Sequence, residues 1–96
     1  MKTLMDKKVN KVAKALNRQL RQDVFKDRFE VKQYQKQRHD GIDYYLYQLI
    51  DNVEPERNQI QGWLSGVEIT LFHKLYIEMN NFIINSSFWK TYRDNQ

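Results

Sequence analysis

Ninety-six residues, a net charge of +4 and no cysteine set the bounds of this chain. The length makes one small domain, 1–96, with a modest core. The missing cysteine excludes a disulfide framework, a thiol nucleophile and a cysteine-based zinc site. No apolar run approaches the roughly twenty residues of a membrane span, and no apolar block of a leader follows the basic start. The expectation is a soluble, cytoplasmic protein.

The charge is unevenly placed. Residues 1–38 hold twelve Lys/Arg and four Asp/Glu, a net of +8, whereas residues 39–96 hold four and eight, a net of −4. Such asymmetry suggests a polyanion partner for the basic part, or contact between the halves.

In chain order, Thr3-Leu4-Met5-Asp6 resembles a capping box with Asp in place of Glu. Met5, Val9, Val12, Leu16 and Leu20 then form one apolar stripe, with Ala13 beside it, and predict a helix over roughly 4–22. Asp23 to Asp27 reads as a polar connector with Val24 and Phe25 turned inward. Two strands follow, about 28–37 and 42–51, joined at Asp40-Gly41. That dipeptide is the signature of a two-residue type I′ hairpin turn, which needs positive φ at both positions.

An unbroken hairpin pairs His39 with Ile42, Arg38 with Asp43, Lys36 with Tyr45, Tyr34 with Tyr47, Lys32 with Leu49, Val31 with Ile50 and Phe29 with Asn52. One face then carries Phe29, Val31, Ile42, Tyr44, Leu46 and Ile50 and is the expected core face. The other carries Lys32, Tyr34, Lys36, Arg38, Tyr45, Tyr47 and Leu49.

Asn52 to Asn58, with the only proline at Pro55, reads as a turn, and 59–64 as a short third strand. Ser65-Gly66-Val67-Glu68 is a full capping box, with Leu64 and Ile69 as its hydrophobic staple. It predicts a second helix from Gly66 to about Ile84, whose apolar arc is Leu71, Phe72, Leu75, Tyr76, Met79, Phe82 and Ile83. Ile77 and Ile84 fall off that arc. Asn85-Ser86-Ser87 breaks the pattern, and Ser86 is expected to cap a last helical piece carrying Phe88, Trp89 and Tyr92. The sum is α-β-β-(β)-α, an α+β fold: a small antiparallel sheet built on one hairpin, covered by two amphipathic helices plus a short C-terminal helix.

Lys7, Lys11, Lys14, Arg18 and Arg21 recur at spacings of four, three, four and three along one ridge of the first helix. A row of cations can follow a phosphate backbone and release its counterions, so the ridge is the candidate nucleic-acid contact, assisted by Lys32, Lys36 and Arg38. The competing readings are a solvated face and a surface for an acidic protein. Tyr34, Tyr45 and Tyr47, joined by Trp63, form a candidate aromatic surface able to stack unpaired bases, unless the tyrosines pair across strands or a helix or second subunit covers them. His39, Asp40 and Asp43 could hold a divalent ion only weakly, since the turn already explains Asp40 and Arg38 explains Asp43. No metal site or small-molecule cofactor is expected. Three glycines exclude a Gly-rich cofactor loop, and no nucleophile elbow or metal-binding helix motif is present.

The expected function is therefore a binding module and not an enzyme, with DNA or RNA as partner. The alternative is a protein–protein or homodimerisation module that regulates a partner enzyme. In size, Lys/Asn/Gln-rich composition and lack of cysteine the chain resembles small accessory proteins of phages and prophages of Gram-positive bacteria, a likeness of type carried by no motif.

Overall fold

The computed structural model describes residues 4–94, with side chains from 11 to 91. The proposed cap at Thr3 and the apolar positions Met5 and Val9 lie outside the described side chains. The elements are α1 (Leu4–Leu20), β1 (Phe29–His39), β2 (Ile42–Asp51), β3 (Gln59–Ser65), α2 (Glu68–Ile84) and α3 (Ser87–Asp94), with 3₁₀ turns at Asp23–Phe25 and Pro55–Arg57. The strands form one antiparallel sheet in the order β1-β2-β3. This is the α+β architecture that the sequence pattern predicts, with 59–64 a strand as expected.

The hairpin turns at Asp40 and Gly41 with φ of 52° and 76°, as a type I′ turn requires. From the turn to Gln35↔Leu46 the register is the expected one. Beyond it the ladder slips. Tyr34 is an extra residue, and the next pairs are Gln33↔Tyr47, Lys32↔Gln48, Val31↔Leu49 and Phe29↔Asp51. A one-residue bulge inverts which side chains share a face. Phe29 and Val31 therefore join Tyr45, Tyr47 and Leu49, and not Tyr44, Leu46 and Ile50. This corrects the face assignment on β2. The slip joins the larger apolar row to the core and brings Asp51 to Arg28.

The buried helix positions among the described residues meet that row. Val12, Ala13, Leu16 and Leu20 of α1 and Leu71, Leu75, Met79, Phe82 and Ile83 of α2 form one cluster with Phe29, Val31, Tyr45, Tyr47 and Leu49. Both helices thus lie on the same side of the sheet. Phe25 and Phe88 close its end through edge-on contacts with Phe29, at 5.5 and 5.8 Å between centroids. Val24, expected inside, is exposed.

The second helix begins later than the capping box predicts. Ser65 is held as the last rung of β3 opposite Tyr44, and Gly66, at φ 129°, turns the chain. The N-cap is consequently Val67, which has no side-chain cap, and its carbonyl accepts the Leu71 N–H at 2.9 Å. At the other end the Ser86 hydroxyl donates back to the Ile83 carbonyl, and at the start of α3 Glu54 accepts from the Ser87 N–H and hydroxyl at 3.1 and 2.6 Å.

Two polar devices fix this arrangement. Asn17, half-buried in α1, clasps the outer edge of β1: its amide donates to the Val31 carbonyl and its oxygen accepts the Val31 N–H, both at 2.8 Å. The second device centres on Asp51, which is fully buried. Arg28 donates to both its oxygens at 2.8 and 2.9 Å, Arg57 to one at 2.8 Å, and the backbone N–H groups of Val53 and Glu54 at 2.9 and 3.0 Å. Arg28 also reaches Glu54 and Ser87. Arg57 continues to the Phe82 carbonyl and lies 4.5 Å from the centre of that ring. The loop after β2, the end of α2 and the start of α3 are thereby tied to one buried carboxylate.

Candidate nucleic-acid interface

The outer face of α1 is where the sequence places its cations. Lys11, Lys14, Arg18 and Arg21 are all exposed, on the side of the helix opposite Val12, Ala13, Leu16 and Leu20. Among the described residues none of the four makes an ion pair. Acids share grooves with both ends of the row. Lys11 shares a shallow groove with Glu68, and Arg21 shares another with Asp27 and Glu30. Lys14 and Arg18 line neither groove. The side chain of Lys7 lies outside those described.

Two acids of the C-terminal half, Asp51 and Glu54, are occupied elsewhere. Burial raises the Asp51 carboxyl's proton affinity, but the hydrogen bonds from Arg28 and from the Glu54 and Val53 N–H groups, with the Arg28 charge, outweigh it and lower the pKa to about 2. Glu54 is also held below the usual carboxylate range, chiefly by Ser87 and then by Arg28. The Arg28 guanidinium is raised in turn, first by its hydrogen bond to Asp51. With five hydrogen bonds on its two oxygens, Asp51 has no free site from which to take a substrate proton. This carboxylate cluster is a structural clasp, and none of it neutralises α1.

The three assisting cations are divided between the two sides of the sheet. Lys32 pairs with Gln48 and projects from the side of the sheet away from both helices. Lys36 is half-buried on the helix side, beside Tyr45. Arg38 is exposed near the hairpin tip, where Asp43 lies 3.7 Å from it.

The aromatic surface is not assembled as expected. Tyr45 is 6% exposed and Tyr47 fully buried, both beneath the helices. Burial, and then the neighbouring Tyr45, push the Tyr47 hydroxyl well above its ordinary range, and its oxygen has no hydrogen-bond partner among the described residues. Only Tyr34 and Trp63 of the four remain exposed. The bulge at Tyr34 is the reason, since it rotates Tyr45 and Tyr47 into the core.

At the hairpin tip His39 lies 3.4 Å from Asp40. Among the described residues no group of three or more His, Asp or Glu is placed to hold a metal ion. No helix among the described residues is long and apolar enough to cross a membrane.

Sequence reasoning missed two groups. Asn17 carried a signal, being a poor helix former in mid-helix between an apolar stripe and a basic ridge. Arg28 and Asp51 carried none, because only the slipped register brings them together. Comparison with protein-family models, with curated proteins and with solved structures finds no match for this chain.

Proposed function

We propose that this chain is a nucleic-acid-binding module that docks on the phosphate backbone through the outer face of α1. The observation that carries this reading is the row Lys11, Lys14, Arg18 and Arg21, exposed and without ion pairs among the described residues while the nearby carboxylate cluster is engaged with Arg28 and Arg57. Solvated faces usually mix signs, and an unneutralised row of one sign is a footprint for a polyanion. Lys11 to Arg18 spans about 10 Å of helix axis, and Arg21 follows just past the helix end, so the row can follow consecutive phosphates.

With Tyr45 and Tyr47 in the core, the contact is made to phosphates and carries no base readout. Binding should therefore be indifferent to sequence and steep in salt. Four neutralised phosphates give a slope of log K against log salt of about −3.6 on duplex DNA and about −2.8 on a single strand. Fluorescence anisotropy against short duplexes and single strands over a salt series measures this directly. The triple substitution Lys11→Glu, Lys14→Glu, Arg18→Glu should abolish binding and leave the melting temperature nearly unchanged, since all three side chains face away from the core. Retained affinity in the folded triple variant would refute the reading.

A further inference from the structure

The side of the sheet away from the helices is built like an interface. Its strand positions on β2 are Ile42, exposed, Tyr44, Leu46 and Gln48, half-buried, and Ile50, buried, and β3 adds Ile60 and Trp63 beside them. An antiparallel sheet with one solvated face normally alternates apolar inward with polar outward. Here β2 is apolar on both sides, the pattern of a strand covered on both. Yet the core cluster unites the helices only with the opposite side, and Ile60 and Trp63 are 44% and 43% exposed. Aromatic and aliphatic residues lie at the middle, and Gln35 and Gln37 of β1 lie at the margin.

Charge decides what fits there. The chain is +4 overall, and its α1 face would repel a like surface. On the open side the strands carry one acid, Glu30, and one base, Lys32, which sum to zero. A polyanion gains almost nothing from such a surface, whereas two basic copies can meet on it without like-charge repulsion. The outer edge of β1 is a poor alternative for self-pairing, because Asn17 already satisfies Val31 and Tyr34 bulges the strand.

We infer that the open sheet face is a homodimer interface, in which a second copy packs sheet against sheet over Tyr44, Leu46, Ile60 and Trp63. Three strands of this length present on the order of 450 Å² in projection, at the small end of specific interfaces, so the dimer exchanges with monomer at micromolar concentrations.

Sedimentation velocity of the full chain between about 5 and 500 µM tests this. The wild type should shift from monomer towards dimer, with little dependence on salt. Trp63→Lys and Ile60→Lys should each weaken association by at least about tenfold through two like charges facing each other. Ile77→Lys, on the exposed side of α2, should leave it unchanged. The triple α1 reversal should also dimerise as the wild type does, which separates this inference from the nucleic-acid reading. Should the sheet variants fail to fold, amide shifts of the wild type on dilution provide the second measurement, expected at Tyr44, Leu46 and Trp63. A monomer at every concentration, a dimer indifferent to both sheet substitutions, or dilution shifts confined to the helices would overturn the inference.

Discussion

Asp51 shows how a charged side chain can sit at zero exposure in a domain this small. Removing an ion from water costs several kcal/mol, and the cost is offset only where geometry is good and every lone pair is used. Two arginines and two backbone N–H groups meet that condition. The carboxylate's folded pKa of about 2 lies below its unfolded value near 3.8, so its contribution is complete above about pH 4 and is lost as pH falls towards 2. Allowing for partial screening by solvent, that loss is between roughly 1 and 2 kcal/mol. Asp51→Asn should cost about 3 kcal/mol at neutral pH, because it removes the buried carboxylate that Arg28 and Arg57 share and leaves Glu54 as the one acid against Arg28. It should also flatten the acid limb of the stability profile, and urea unfolding across pH 2–7 reads both effects. An unchanged acid limb would show that other carboxylates govern it.

The elements were legible in the sequence where the signals are local. Apolar spacing located both long helices, Asp40-Gly41 located the turn, and β-branched and aromatic content located the strands. What local signals could not reveal was the side of β2 that meets the helices. Tyr34 is an ordinary strand residue with nothing to mark it as supernumerary, and a single extra residue reverses the sheet's faces. The mistaken aromatic platform, the exposure of Ile42 and the unforeseen meeting of Arg28 with Asp51 all follow from that one slip. The capping box at Ser65 failed for a different reason: strand pairing competed for the same residue, and the ladder won. If Tyr34 is an insertion in this sense, deleting it preserves every cross-strand pair and removes only the bulge. The deletion should change stability by less than about 1 kcal/mol and keep the Gln33–Tyr47 contact, seen as an Hα–Hα NOE. Deleting Gln48 from β2 instead adds to the mismatch and should abolish the cooperative melt. A collapse on removing Tyr34 would show that the bulge itself holds the register.

At the scale of the whole molecule, the described chain measures 49 × 22 × 21 Å and has two unlike sides. The basic row is on the outer surface of α1 and the neutral apolar surface is on the far side of the sheet, with the core between them. The first side was legible in the sequence because helical spacing displays it directly. The second was hidden, since its β2 residues are those that an unbroken ladder would place inside. This opposition has a consequence for valence. A pair joined through the sheets would hold its two cation rows back to back, on the order of 40 Å apart and facing outward. Such a particle cannot lay both rows along one straight duplex. It would crosslink separate segments, so light scattering of long DNA should rise with added protein, while Trp63→Lys should bind without the rise.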